Sequence, residues 1–495
     1  MQFHPTSGIR LRRWVGGMLW VATAGLTCIG GEVLRPCRIE VVEKGSGAPV
    51  PLVELRTTHH ARWVSDNAGV IALDAPELMG RETWFGVVGH GYGVPKDGFG
   101  YRGVRLRPQP GGRIRVEVER SSLARRIGRL TGAGIFAESQ KLGEELEWGE
   151  QGVFGCDSVQ NAVHGGRLFW VWGDTTLAGY PLGIFDASAA TTLLPVGRSL
   201  EAPLKIRFDY FEGDAGVPRG VAKMAGSGPT WLTGLVSLPS TNGGSRLGAS
   251  YMKITPPLEA YEWGLCVWNE EARRFDPWRQ VWRKSEGTPK PVPCPDGHAV
   301  SWRDDAGIEW ILFGNPLPTL RCRATFEAWS DSVNWETLKP QEAIPFAVGE
   351  GRVKPHSGSI AWNAFRKRWI TVFVESFGKP SAFGEVWYAE ADSPLGPWSG
   401  AVKILSHENY TFYNPRLHPE FGEAGSSSVY FEGTFSMTFA DHAFPTARHD
   451  YNQVLYRLDL SDLPGARLRT ETRANHPESG GSRKDEPAGE ARSAP

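Results

Sequence analysis

Apolar and polar residues alternate with a period of two in short runs along most of the chain, and Gly, Pro and Asn turns separate the runs. CRIEVV at 37–42 alternates, GSGAPVPLVEL at 45–55 reads as a turn and a second strand, and SDNAGVIAL at 65–73 reads as a tight turn and a third. GRIRVEV at 112–118 closes this first set. Such runs predict strands, and residues 37–120 are expected to form a small β-sandwich. From 148 to 465 a longer pattern recurs. Apolar runs end in a small or acidic residue: RLFWVWGD at 167–174, EWILFGN at 309–315, RWITVFVE at 368–375 and SVYFEG at 428–433. A short strand with a polar start precedes each: CDSVQN at 156–161, GHAVSW at 297–302, HSGSIAW at 356–362 and YNPRL at 413–417. A further unit occupies 229–268, and third strands are clearest at 384–390 and 453–458. Five antiparallel meanders repeated radially predict a five-bladed β-propeller, so the whole chain is expected to be all-β.

The stretches outside these two units complete the organisation. Residues 121–147 carry clustered arginines and end in Glu144, Glu145 and Glu147, which reads as a solvated linker. Arg10, Arg12 and Arg13 precede an apolar stretch at 14–29 with Ala22, Ala24 and Gly25 near its end. This is the pattern of an export signal over 1–30, and it implies a periplasmic or extracellular protein. The stretch is glycine-interrupted and short of the roughly 20 residues needed to span a bilayer, so no membrane association is expected beyond export. The polar tail at 466–495 reads as disordered.

Composition narrows the function classes. Lys+Arg number 54 and Asp+Glu 55, so there is no bulk positive field to hold a nucleic acid. The 60 Gly, 36 Pro and 20 Trp supply turns and large aromatic faces, the raw material of a carbohydrate site. Six cysteines occur without a CxxC pair, so a zinc knuckle is unsupported. A Cys294–Cys322 disulfide and a set of buried free thiols both remain open.

In a propeller the start of each innermost strand and the end of the next lie on one face. Strand starts then supply Asp157, His298, His356 and Asn414, and strand ends supply Asp174, Asn315, Glu375 and Glu432. Asp157 is the candidate general base, with Asp174 able to orient a neighbour or bind hydroxyls. Glu375 and Glu432 follow apolar runs, where a carboxyl pKa rises and suits a general acid. His298, His356, Asn414, Tyr413, Trp231 and Arg448 are candidate substrate contacts, flat aromatics meeting sugar C–H faces. No HxH or HExxH spacing points to a metal, and no cofactor motif is found; a structural ion in the channel stays open.

Two resemblances follow from these residues. The G-x-P-V-P turn at 47–51 and the D-x-x-G turn at 66–69 resemble the transthyretin-like or carboxypeptidase-regulatory-like module of exported bacterial proteins, which implies a non-catalytic spacer. The segment GEVWYAEADSPLGPW at 384–398, WVWGDT at 170–175, and Asn414, YFEGT at 430–434 and DYNQVLYRL at 450–458 resemble five-bladed glycosidase-type propellers. These are the arabinanase- and invertase-like set, together with an uncharacterised exported family with endo-D-arabinanase members. The resemblance implies hydrolysis of a polysaccharide or oligosaccharide by paired carboxylates, with Asp157 where those proteins keep the base. Their acid opens a middle inner strand; here those starts are Trp231, His298 and His356, with no Glu, which moves the expected acid to Glu375 or Glu432. Three functions are carried forward: a glycoside hydrolase; a lyase of uronate-rich glycans, with a His or Tyr base and Arg448 as the neutralising group; and a non-catalytic glycan-binding propeller.

Overall fold

The computed structural model describes residues 34–148, 152–184, 186–194, 200–213, 216–285, 287–288, 291–440, 445–446 and 448–463. The expected export signal at 1–30 and tail at 466–495 lie outside the described residues. What is described is nearly all β, with one short α-helix at Phe326–Trp329. Among the described residues no helix is long and apolar enough to cross a membrane.

Two four-stranded sheets form the N-terminal unit. One holds Val70–Leu73, Cys37–Glu43, Arg113–Arg120 and Tyr92–Gly93; the other holds Arg62–Val64, Glu54–Thr57, Thr83–Val88 and Gly103–Leu106. Alternation puts Ile39, Val41, Leu55, Ile71, Phe85, Val87, Val116 and Val118 into one shared core.

Five four-stranded antiparallel sheets follow. The first holds Gln160–His164, Arg167–Trp172, Ser188–Thr192 and Asp209–Tyr210, flanked by a three-stranded sheet that begins at Val153–Cys156. The second runs from Thr230–Pro239 to Arg274–Arg283, the third from His298–Arg303 to Glu336–Thr337, and the fourth from Pro355–Asn363 to Ser399–Leu405. The fifth holds Thr411–Leu417, Ser428–Ser436 and Asn452–Asp459. The first strand of each sheet packs on the first strand of the next. Asn414 Nδ2 donates to Ser158 Oγ (2.9 Å) and Arg416 Nε to Asn161 Oδ1 (3.0 Å), which brings the fifth sheet back to the first. The first strands therefore ring one axis, the arrangement of a β-propeller. Aromatic side chains fill the gaps between sheets. Trp170 stacks on Trp172 (5.9 Å) against Phe208, and Phe169 meets Trp268 (4.8 Å). Trp172 is buried among Trp170, Phe208 and Tyr210.

The stretch expected as a linker departs most from expectation. Arg125–Arg129 pairs antiparallel with Asn452–Asp459, Val454 opposite Arg129 and Arg457 opposite Arg125, and so supplies the fourth strand of the fifth sheet. Its arginines are not solvated. Buried Arg126 donates to the carbonyls of Pro51 (3.0 Å), His90 (3.1 Å) and Leu52 (3.3 Å) in the N-terminal unit. Arg129 donates to Thr131 O and Phe154 O, both at 2.8 Å. Asn67 grips the same strand through Arg129 O and Arg129 N, each at 2.9 Å. Beyond it, Ser139 donates to Asp66 Oδ2 from both N and Oγ. A guanidinium can saturate several stranded carbonyls at once, which is why an arginine cluster serves here as a seam. Cys294 and Cys322 are free and buried, as are Cys37, Cys156 and Cys266, so the disulfide alternative falls.

The seam yields the first prediction. Arg126→Met keeps the stem and leaves three buried carbonyls without their donor. Chemical denaturation should show a loss of about 2–4 kcal/mol. A change within about 0.5 kcal/mol, the scale of an ordinary surface substitution, would mean that the two units are not joined through this side chain.

Candidate active site

The inner strands are irregular where they reach one end of the axis. The ladder shifts between Tyr413 and Arg416, between Pro355 and Ser357, and between Thr233 and Val236. Bulges of this kind re-aim side chains. Asn414 takes a positive φ of 51°, which Asn tolerates better than most residues, and Ser158 takes 52°. Hydrogen bonds then lace neighbouring sheets: Asn414 N to Ser357 Oγ (3.2 Å), Gly358 N to Asn315 Oδ1 (2.7 Å), and Thr233 Oγ1 to Asp296 Oδ1 (2.8 Å).

Asp157 and Asp174 sit together on this rim. Asp157 N donates to Asp174 O (3.2 Å) and Gly173 N to Asp157 O (2.9 Å), which ties the two chain segments at the same end of the first sheet. Gly173 makes room for the carboxyl, since a Cβ there would lie 2.4 Å from Asp157 Oδ1. Tyr413 Oη donates to Asp157 Oδ2 at 2.8 Å. Burial raises the Asp157 pKa, and the hydroxyls of Tyr413 and Tyr451 draw it back by favouring the ionised form. Asp174 is pushed up to about 7, by burial first and then by the negative charges of Asp157 and Asp186. Its Oδ1 is buried and accepts no hydrogen bond from a described residue. The Trp231 indole N–H stands near enough to counter part of that rise, yet it too lacks a partner in hydrogen-bond geometry. A buried acceptor beside a buried donor, both unsatisfied, is costly unless the pair is poised for a ligand.

The other candidate residues divide. Tyr413, Asn414 and Trp231 join Asp157 and Asp174 at this rim. His356 stands at the edge, its ring 4.6 Å from Phe383, and partial desolvation against that ring lowers its pKa. Glu375 does not join the acids; it accepts from Trp387 Nε1 (2.9 Å) on the third strand of its own sheet. Glu432 was expected at a strand end and lies mid-strand opposite Arg416, because its strand runs on through Gly433 to Ser436. It is fully buried, and His418 Nε2 holds its Oε1 at 2.7 Å. Burial pulls the His418 pKa down, but Glu420 and Glu432 outweigh it and the net shift is upward. His298 belongs to this buried layer. Its pKa lies well below the usual value through burial and the charges of Arg416 and His418. Arg448 lies on the seam, paired with Glu138, and contacts no part of the rim acids. Of the lyase candidates His298, His356, Tyr413 and Arg448, only His356 and Tyr413 stand at the rim: Tyr413 donates to Asp157, His298 is buried, and the expected neutralising group Arg448 pairs with Glu138 on the seam. Among the described residues no group of three or more His, Cys, Asp or Glu is placed to hold a metal.

Several residues escaped the sequence reading. Asp186, which accepts from Thr230 N (3.1 Å), lies in a stretch without periodicity. Asp296 opens the third inner strand two residues before His298, where the Pro-Asp-Gly triplet reads as a turn. Phe377, Phe383 and Phe439 continue an aromatic shelf from His356 to Tyr413, with ring spacings of 5.2, 6.4 and 6.3 Å. Phe377 and Phe439 are 75% and 62% exposed and both have positive φ, so the backbone holds them out. The local signal available was an apolar residue just past a strand end.

The chain matches no protein-family profile and no curated protein. Solved structures resemble it weakly. An exo-β-1,3-galactanase from Phanerochaete chrysosporium with β-1,3-galactotriose aligns at 11% identity and a TM-score of 0.38, over 62% of this chain and 61% of that one. This chain thus spans about three fifths of the galactanase. A GH43_1 enzyme from Xanthomonas citri with xylose aligns at 11% identity and 0.35, over 62% and 87%. An exo-1,5-α-L-arabinanase from a bovine ruminal metagenomic library aligns at 11% and 0.36, over 62% and 94%. Similarities of this size assign neither substrate nor residue roles.

The raised Asp174 pKa makes a stability prediction. The folded state holds this proton up to about 7, whereas an unfolded Asp releases it near 3.8. The contribution is full below about 4 and is lost as pH rises through 7. Asp174→Asn should therefore gain in Tm relative to the native chain between pH 4 and 7, and then level off. A constant difference across that range would show that Asp174 ionises normally.

Proposed function

We propose that the chain is an exported glycoside hydrolase, built as a transthyretin-like module followed by a five-bladed propeller. Asp157 would serve as general base and Asp174 as general acid. The observation that carries this reading is the carboxyl pair at one rim, with Asp174 titrating near neutrality and one of its oxygens buried without a partner. An acid must be protonated at the working pH to give its proton to a leaving oxygen, and burial beside a second carboxylate achieves that. A base must be ionised, and two phenol hydroxyls favour that state at Asp157. Trp231 and the Phe377–Phe383–Phe439 shelf suit the flat C–H faces of sugar rings, and Asn414 suits hydroxyls. The acid role passes from Glu375, which accepts from Trp387, and Glu432, which is buried on His418, to Asp174.

Reducing ends released from neutral and uronate-rich polysaccharides test this reading, with absorbance followed for any unsaturated product. Hydrolysis without unsaturation is expected. Asp157→Asn and Asp174→Asn should each lower turnover at least about 10²-fold while the fold is kept. Unsaturated product would replace the hydrolase with a lyase. Binding without turnover in the native chain would leave a glycan-binding propeller.

A further inference from the structure

A cavity of about 880 Å³ lies on the N-terminal unit, away from the rim acids, and reaches across to Glu408 of the propeller. Its floor is the outward face of the sheet that contains Thr83–Val88. Phe85 and Val87 point into the core, so Trp84 and Gly86 point out. Gly86 stands opposite Gly103 on the next strand. A Cβ on Gly103 would lie 2.4 Å from Trp84 Cζ2, and one on Gly86 would lie 3.3 Å from Cη2. The indole therefore lies over two residues without side chains, and it lines the cavity above them. Tyr101 stands edge-on to it, at 6.2 Å and 79°, and is 64% exposed. Its loop is fixed by Asp97 Oδ1, which accepts from Phe99 N and Tyr101 N, each at 2.9 Å.

Polar groups border these rings. Arg56, His60 and Arg102 line the same cavity, and Arg102 spends one donor on Val94 O (2.7 Å). A flat aromatic floor, an upright phenol and forked donors at the side are what a saccharide needs: a face for its C–H groups and partners for its hydroxyls. The volume falls in the range of small-ligand sites, roughly 300–1,000 Å³, and it is concave, whereas a protein partner needs about 800 Å² of its own surface.

We propose that this cavity is a second, non-catalytic glycan site, with Trp84 as the platform and Tyr101 as the wall, which holds a polysaccharide chain while the rim acids act. The choice of glycan rests on the carbohydrate reading of the propeller. Because Arg126 fastens the two units, the second site would raise the effective concentration of insoluble substrate at the rim without changing the chemical step.

The test is retention of the full chain on insoluble arabinan, xylan and pectin, read beside turnover on soluble oligosaccharides. The native chain should be retained on at least one of the three. Tyr101→Ala, at an exposed position that carries little of the fold, should weaken retention about tenfold and leave soluble turnover unchanged. Trp84→Ala should weaken it further. Asp157→Asn should abolish turnover and keep retention. Equal retention of the native chain and Tyr101→Ala on all three supports would overturn the proposal, as would no retention of the native chain on any. If the native chain is retained through Tyr101 but hydrolyses nothing, this site stands and the hydrolase reading falls. If it hydrolyses normally and Tyr101→Ala changes nothing, the hydrolase reading stands and this site falls.

Discussion

Everything in the propeller depends on how its fifth sheet finds an edge. A fifth sheet that ended at Asn452–Asp459 would leave a row of backbone N–H and C=O groups unpaired along its outer edge. Arg125–Arg129 covers that row, and it does so with a segment that precedes the first sheet in sequence. Polar side chains reinforce the closure beside the buried Ile127 and Leu130: Asn67 on the strand's own backbone, Arg126 on three carbonyls of the N-terminal unit, and Arg129 on Phe154 beside the first sheet. The N-terminal unit is thereby part of the propeller's edge and not a passenger ahead of it.

The axis separates two electrostatic layers. In the buried layer Arg416, His418, Glu420 and Glu432 neutralise one another, and Asn161 orients Arg416, so the charges are matched pair by pair. At the rim Asp174 feels the negative charges of Asp157 and Asp186, while Lys253 is linked electrostatically to Asp186. Burial first, and the like charges beside it second, let Asp174 hold its proton far above the ordinary Asp range. The first layer is the economy of a stable core. The second is the sort of local disadvantage a fold keeps where chemistry is done.

The strands were readable because period-two alternation reports burial directly, and runs such as 167–172 or 368–375 carry it without ambiguity. Asp157 and Asp174 were readable because both stand at the joined ends of such runs. The errors have physical causes. Arginines in 121–129 looked solvated because composition cannot show that carbonyls wait for them. Glu432 looked like a strand end because Gly433 and Thr434 break the apolar run, although the strand continues to Ser436. Glu375 looked free because its Trp387 partner comes from another strand. Asp186 and Asp296 were hidden in turns, where backbone geometry and not pattern decides which side chain reaches the rim.

The origin of the closing strand also sets an order of events. Arg129 and Val454 are ladder neighbours separated by hundreds of residues, and on the ribosome the first emerges long before the second. Until the last sheet is synthesised, that strand is an uncovered edge attached to a finished N-terminal unit, and four sheets accumulate beside it without closure. Such an intermediate exposes both strand backbone and inter-sheet aromatics, the conditions under which chains aggregate. A protein made this way needs its biogenesis guarded until the ring is shut, and the length of that unguarded interval is fixed by the distance between the two halves of a single sheet.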